Sequence, residues 1–328
     1  MSDMIRRGLL AILLTLASAA GALAQQPASS STPSQPAATA KPAEPPVGKL
    51  QSFPTPEAAA DALTDAARRS DDKAIEAMLG EPWNVLMPTQ TDGYQRDRAT
   101  YLAAWDKQHK VTIDSASNGT RAIVEVGTTG WTLPIPIVKD GVDWRFDPVA
   151  GFNEMAEREL GRNEFGAIQT LMAIGDAEKD YAVMDPMKTG STAYARRLLS
   201  SPGKKDGLYW PSAPGQPESP LGEQVAHSQP DGKFPGDHYG YNFRLLYAQG
   251  TAAPGGARDY FVKGRLIGGF AAIAWPARYG ETGFMTFIMG PDGIVYQQDL
   301  GANTAQLAAS ITSFSPDKGW QKADMTPP

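Results

Sequence analysis

The residues with the clearest potential for acid–base chemistry are Asp237 and His238, which are adjacent where a proline-rich loop meets a predicted strand, with Tyr241 close by. A histidine beside a carboxylate can serve as a general base. Successive side chains of a strand point to opposite faces, however, so these two cannot form the Asp–His pair of a catalytic triad. The sequence therefore favours a structural, hydrogen-bonding His238 and predicts no catalytic residue, while all three residues are candidates for ligand binding.

Other reactive groups are scarce. The chain of 328 residues has no cysteine, three histidines far apart in sequence and no GxSxG motif. This composition excludes a thiol nucleophile and a cysteine metal site, and it disfavours a histidine zinc centre and a serine nucleophile. Asp206-Gly207 and residues 231–237 could wrap a calcium ion, but neither has EF-hand spacing and Asp-Gly is a common turn sequence. We therefore predict no metal site and no cofactor.

Two further groups of side chains could bind a ligand or a partner. Trp131, Trp144 and Arg145 could line the mouth of a curved sheet and hold a small apolar or anionic ligand. Alternation along a strand places one of the tryptophans in the core, so a filled core is the other interpretation. Arg278 and Tyr279 lie in a predicted exposed turn, which is either a partner contact or a solvated loop.

The N-terminus has the features of an export signal. Residues 1–24 combine Arg6 and Arg7, an apolar segment and a small-residue Ala-Leu-Ala site before Gln25. An uncleaved anchor is the alternative, but the apolar stretch is at or below the roughly 17–25 residues that span a bilayer. Residues 25–52 are rich in Pro, Ala and Ser and have little to bury, so we expect disorder there. We predict a periplasmic or secreted protein with no membrane span after cleavage.

Residues 53–150 form the first predicted domain. Helical patterns at 57–69 (after a Thr55 cap), 72–79 and around 101–105 precede strand patterns at 111–113, 121–126 and 131–138. The Asp140-Gly141 pair then predicts a hairpin turn into a strand at 143–146. Helices followed by a curled antiparallel sheet are the order of a cone-like, nuclear-transport-factor-like domain, an analogy at the level of fold alone.

Residues 151–328 form the second predicted domain, which begins with one long helix over Gly151–Asp185, interrupted at Gly161. Gly166 and Gly175 fall near the apolar face of this helix, where each costs about 1 kcal/mol relative to alanine, so another segment should approach closely. A helical turn at 192–199 and a proline-rich loop at 211–235 precede five strand patterns, of which the apolar stretch 268–275 is the predicted central strand. The expected fold class is α+β, with the long helix packed on an antiparallel sheet.

One resemblance concerns the C-terminal half. The block Asn163–Tyr181, followed by Gly240–Arg244 and Phe270–Trp275, resembles the helix-then-hairpins layout of type II secretion and type IV pilin-like globular domains. Those proteins polymerise through an apolar N-terminal half of the helix, whereas this half is charged, with Glu154 and Arg158 among its residues. The resemblance implies a pilin-like head without filament assembly.

A second resemblance is more specific. The blocks Trp144–Asp147, Gly161–Glu164, Asp206–Pro211, Ala252–Gly256 and Ala274–Ala277 are similar, in this order, to the uncharacterised exported bacterial family called domain of unknown function 2950. The similarity extends over about residues 53–301. It implies a secreted or periplasmic protein of Gram-negative bacteria, and it assigns no catalytic residue.

Charge and composition narrow the function. The net charge of −6 provides no basic footprint for a phosphate backbone, so we predict no nucleic-acid partner. With few reactive groups and an export signal, the chain is predicted to be a non-catalytic exported protein that binds a protein partner or an envelope component. The alternative is a periplasmic hydrolase with its site near His238 and the Pro211–Pro235 loop.

Overall fold

The N-terminal helices begin and end where their capping residues predict in the computed structural model, which describes residues 49–80, 83, 91–229 and 238–327. Helix α1 spans Pro56–Arg69 and begins after Thr55, whose side chain accepts a hydrogen bond from Ala58 N. Helix α2 spans Asp72–Leu79 and stops at Gly80, and α3 spans Asp92–Lys107. The predictions for α1 and α2 are confirmed, and the helical pattern around residues 101–105 belongs to the longer α3.

A four-stranded antiparallel sheet follows, in the order β1-β2-β3-β4. The strands are His109–Ile113, Arg121–Val126, Ile137–Asp140 and Asp143–Phe146. Alternate residues of β2 point into a core that α1, α2 and α3 share with the sheet. The predicted strand at 131–138 is wrong over residues 131–136, because Pro134 and Pro136 have no N–H to donate to a neighbouring strand, and of this stretch only Ile137 and Val138 belong to β3.

Helix α4 spans Pro148–Met184 without a break. Asp147 accepts a hydrogen bond from Ala150 N and caps its start, and the helix ends at Asp185 in the left-handed conformation. The predicted interruption at Gly161 is wrong, since one glycine costs only about 1 kcal/mol and the helix is packed on both sides of it. Gly151 lies against Ile135 of the N-terminal core, and residues from 167 to 181 line the C-terminal core.

The second sheet has five antiparallel strands in the order β13-β12-β11-β10-β5. In chain order the C-terminal elements are α5 Glu223–His227, β5 Tyr241–Leu246, β6 Ala248–Gln249, β7 Arg258–Asp259, β8 Phe261–Val262, β9 Arg265–Leu266, β10 Ala271–Pro276, β11 Met285–Met289, β12 Val295–Asp299, α6 Thr304–Ser310 and β13 Gln321–Lys322. Helix α4 covers one face of this sheet, and α6 covers the other. The fold is mixed α+β, as predicted.

The glycines on α4 are approached closely, as expected. A Cβ at Gly175 would stand 2.7 Å from Cε of Met289, and one at Gly166 would stand 2.5 Å from Cγ of Tyr239. The approaching groups are thus side chains from β11 and from the turn before β5. Strand β10 is fully buried between β5 and β11, so the apolar stretch from 268 does contain a central strand.

The predicted helical turn at 192–199 is wrong. Tyr194 N donates to Leu266 O at 2.8 Å, and Leu199 pairs with Tyr209, so this segment is extended. Backbone groups of this segment are hydrogen-bonded to other segments, so a local helix is not required to satisfy them. The predicted signal at 1–24 and nearly all of the predicted disordered segment at 25–52 lie outside the described residues. In the part of the chain that is described, no helix is long and apolar enough to cross a membrane.

Candidate functional site

Three segments meet beside the middle of α4: residues 163–170 of that helix, the turn at 238–240 and the turn at 277–284. Ala277 N donates to Gly240 O at 2.9 Å, which joins the two turns. Asn163 Nδ2 donates to Thr282 O at 3.2 Å, which joins the second turn to the helix. We call the side chains of Tyr239, Tyr279 and Phe284, presented by these two turns, the aromatic surface.

The first turn places Tyr239 in an unusual conformation. Tyr241 N donates to His238 O at 3.1 Å, and the two residues between them have φ angles of 53° and 67°. Positive φ suits Gly240, where a Cβ would also stand 2.6 Å from Cβ of Thr282. It is uncommon for a bulky side chain such as Tyr239, whose ring rests on Gly166 and is 50% exposed. The turn therefore presents an aromatic ring at a defined position.

His238 is held by the helix. Its Nε2 lies 3.0 Å from Thr170 Oγ1, and the Thr170 hydroxyl donates its single proton to Gly166 O at 2.7 Å. The His238 Nε2 must therefore carry a proton and donate to Thr170, which leaves Nδ1 as the lone-pair nitrogen. Burial lowers the pKa of His238. The expected hydrogen-bonding histidine is confirmed, whereas Asp237 lies outside the described residues.

Tyr241 is a core residue. It is fully buried, and its hydroxyl donates to Met285 O at 2.9 Å. Burial, and to a smaller extent the charge of Glu164, raises the pKa of Tyr241 far above its ordinary value. Its phenol therefore stays protonated and links β5 to β11 through this hydrogen bond.

The second turn is fastened to α4 by a carboxylate. Glu164 Oε1 accepts from Phe284 N at 2.8 Å and from Met285 N at 3.1 Å. The ring of Phe284 is 40% exposed and meets the edge of the Tyr279 ring at a centroid distance of 5.4 Å. Tyr279 in turn donates to Asp299 Oδ2 at 3.2 Å, and both its partial burial and that carboxylate raise its pKa.

Arg278 and Glu281 form an exposed ion pair at the rim of the second turn, with Nε and Oε2 2.5 Å apart. Thr282 fixes the same turn, because its Oγ1 accepts from Arg278 N at 3.1 Å and its N–H donates to Arg278 O at 2.9 Å. Arg278, which directly precedes Tyr279, therefore lies on a backbone that hydrogen bonds hold in place.

The N-terminal candidates are not brought together with these residues. Trp131 is exposed, with Tyr101 at its edge (6.4 Å between centroids) and the Arg158 guanidinium 5.9 Å from its ring. Trp144 is buried and exchanges two backbone hydrogen bonds of 2.7 Å with Phe53. One tryptophan thus faces inward, as alternation predicts.

Arg145 lies on the next position of β4, where its Nε donates to Asp140 Oδ2 at 3.1 Å. Arg145 is thus engaged within the β3–β4 hairpin, whereas Trp131 packs with Tyr101 and Arg158.

The structure thus gathers His238, Tyr241, Arg278 and Tyr279 at one place and adds Tyr239, Phe284 and Glu164. Sequence reasoning missed the last three, although Gly166 on an apolar helix face did signal that some group must pack there. Over the described ranges, no group of three or more acidic or histidine side chains could hold a metal ion. The arrangement offers exposed aromatic rings, one ion pair and a single histidine whose Nε2 is already bonded.

The fold and this site define a mixed α+β protein in which two turns and one long helix fix an aromatic surface. The chain belongs to the family described as "Protein of unknown function (DUF2950)", whose model matches residues 50–323. Comparisons with curated proteins and with solved structures find no match.

Proposed function

We propose that this protein is a non-catalytic binding protein whose aromatic surface contacts a partner protein or an envelope component. The observation that carries the proposal is the contrast between engaged reactive groups and exposed rings. His238 bonds to Thr170 and Tyr241 bonds to Met285 O, whereas Tyr239 and Phe284 are 50% and 40% exposed. Exposed aromatic residues beside an arginine are the composition that protein interfaces favour.

The rigidity of the surface supports the same proposal. Glu164, Asn163 and Gly166 fasten both turns to α4, so the rings lose little conformational freedom when a partner binds. Because ordering side chains and loops opposes association, a surface that is already ordered binds more tightly for a given area.

We further propose that the protein is exported and cleaved before Gln25, and that it acts in the periplasm or outside the cell. The sequence pattern of residues 1–24 supports this location. Intact-mass measurement of the protein from its native host should give the mass of a chain starting at Gln25. A mass that includes Met1 would contradict cleavage.

We also propose the finer fold assignments. The order of helices α1–α3 and the four-stranded antiparallel sheet supports a cone-like, nuclear-transport-factor-like arrangement for residues 53–150. The packing of one long helix on the five-stranded antiparallel sheet supports a pilin-like arrangement for residues 151–328.

Site-specific crosslinking tests the binding proposal. A photoreactive amino acid at Phe284 should capture a defined partner in the native host, and the same amino acid at the exposed Val142, in the β3–β4 turn, should not. The adduct should disappear when Tyr239 is changed to Ser and persist in His238→Ala. Equal capture at both positions would contradict the proposed surface.

The hydrolase alternative predicts the opposite pattern. His238→Ala would then fold normally but lose the biological phenotype, while Phe284→Ser and Tyr239→Ser would keep it. This outcome would assign the function to the lone pair on His238 Nδ1 and would overturn the binding proposal.

A further inference from the structure

A second surface, which shares no residue with the aromatic surface, combines exposed apolar side chains with cations. It is formed by the turn that follows α4 and by the β8–β9 hairpin. Met187, Val262 and Ile267 are 45%, 41% and 43% exposed, and Lys188, Lys263 and Arg265 lie at the neighbouring positions. We call these six residues the basic–apolar surface.

Direct contacts bring the two turns together. Arg265 Nη2 donates to Thr189 Oγ1 at 2.7 Å, and it also contacts the side chain of Ser191. Tyr194 N donates to Leu266 O at 2.8 Å, which ties the segment after α4 to strand β9. The exposed residues on either side of these bonds therefore belong to one surface.

A fourth cation adjoins it. The guanidinium of Arg196 lies 5.5 Å from the centre of the Phe261 ring, so it stacks on the hairpin that carries Lys263. Lys188 and Lys263 each adopt a left-handed backbone, with φ of 52° and 51°. Lys263 lies in the β8–β9 turn, and Lys188 closes the turn after α4, where its N–H donates to Asp185 O at 2.8 Å.

The acidic residues nearby are engaged by their own backbone. Asp185 accepts from Thr189 N and Gly190 N, both at 2.8 Å, and these bonds lower its pKa. Asp259 Oδ1 accepts from Phe261 N at 2.8 Å. Lys188, Lys263 and Arg196 are exposed and Arg265 is half-buried, so four cations lie beside two carboxylates that stabilise turns, in a chain whose net charge is −6.

We propose that the basic–apolar surface docks on a bilayer that contains anionic phospholipid. Charge at a surface is felt only within a Debye length, about 8–10 Å at physiological salt, so the local excess of cations outweighs the distant negative charge of the chain. Exposed apolar side chains in or beside turns, such as Met187 and Val262, can enter the interfacial region, where lipid headgroups meet acyl chains, while lysines bind headgroup phosphates. A protein partner for this surface would not require cations around every apolar residue.

The test is sedimentation of the exported protein with vesicles of phosphatidylcholine alone or with about a third phosphatidylglycerol. We expect binding to the anionic vesicles only, weakening as salt is raised. Because each basic residue near an anionic membrane contributes about fivefold in affinity, Lys188→Gln with Lys263→Gln should weaken binding about 25-fold. The control Lys110→Gln with Lys318→Gln changes the net charge equally at exposed positions elsewhere and should bind as the wild type does.

The apolar part of the surface has its own test. Val262→Ser with Ile267→Ser should reduce the binding that persists in high salt, since that fraction depends on insertion rather than on charge. Circular dichroism melts should show that the variants remain folded. Equal binding to both vesicle types, or equal loss in the two lysine pairs, would overturn the proposal. So would binding to heparin or duplex DNA as tight as to anionic vesicles, because it would indicate polyanion attraction without lipid.

Discussion

Replacing Glu178 with Gln should change how the stability of the protein depends on pH. Glu178 is completely buried on the inner face of α4, and its Oε2 accepts from Ala195 N at 2.7 Å. Its Oε1 has no hydrogen-bond partner among the described residues. Burial raises the pKa of this carboxyl well above its ordinary value of 4.5, and the bond from Ala195 opposes that rise only in part. The folded protein therefore holds a proton on Glu178 at pH values where the unfolded chain has released it.

The sign and size of this effect of pH on the free energy of unfolding follow from proton linkage. A raised pKa in the folded state makes the contribution of Glu178 to stability fully present below pH 4.5 and progressively lost as the pH rises toward the folded-state pKa. Over that window the free energy of unfolding falls by up to about 1.4 kcal/mol for each pH unit. Glutamine removes the ionisation and keeps an oxygen that can accept from Ala195 N. Its amide adds one more buried donor, which should cost about 1–3 kcal/mol at acidic pH.

Urea titrations of both proteins at steps from pH 4.5 to pH 9 give the free energies of unfolding. We expect the variant to be less stable than the wild type at pH 4.5, and the difference to close and then reverse as the pH rises. Because the two proteins share every other ionisable group, their difference isolates Glu178, and the pH at which it levels off reports the folded-state pKa. A difference that stays constant over this range would refute the reasoning.

Three further predictions concern α4 and its partners. Gly166→Ala should lower the free energy of unfolding by about 1–3 kcal/mol, since the obstructing atom is Cγ of Tyr239, which is close to the Tyr239 backbone and cannot move aside. Gly175→Ala should cost less, because only the flexible end of the Met289 side chain obstructs the new methyl group. Equal urea midpoints for the two variants would contradict this difference. Arg158→Ala removes hydrogen bonds of 2.7 and 2.8 Å to Thr132 and an ion pair with Glu154, so it should lower the free energy of unfolding by about 1–3 kcal/mol and lower the Tm. Arg158→Lys should recover only part of this stability. An unchanged Tm would show that these bonds do not hold α4 to the N-terminal sheet. Because burial lowers the pKa of His238, the stability that this residue contributes is present above pH 6.5 and is lost as the pH falls through the folded-state pKa. In urea titrations, His238→Gln should therefore lose less stability than the wild type over this acidic range. An unchanged pH dependence would mean that carboxylates, and not His238, cause the loss of stability in acid.

Local interactions explain which parts of the fold were predictable. Thr55 and the Asp140-Gly141 turn act on residues within one helical turn or one hairpin, so the start of α1 and the β3–β4 turn can be predicted from adjacent residues. The predicted start of α4 at Gly151 omits the first residues of this helix, which Asp147 caps. The positions of β2 and β10 were predictable for the same reason, because alternation and continuous apolar runs reflect how many faces of a strand are buried.

Errors arose where distant segments compete with local preference. Packing on both sides keeps α4 continuous through Gly161, and the backbone partners of Tyr194 and Leu199 draw residues 192–199 away from a helix. The family was also recognisable from sequence, because several unusual blocks recur in a fixed order and the matched region extends over residues 50–323.

The sequence by itself determined the α+β class, the bounds of α1 and α2, the Asp140-Gly141 turn, the shortage of reactive side chains and the need for something to pack on Gly166. Only the tertiary structure decided that Tyr239 fills that place, that Thr170 sets the tautomer of His238, and that Arg278, Tyr279 and Phe284 join them. Residues 166 and 239 are 73 positions apart, and no local pattern specifies which side chain meets a helix glycine. That choice is made by the burial of the whole core, which fixes α4 against the sheet and so determines which turns reach it.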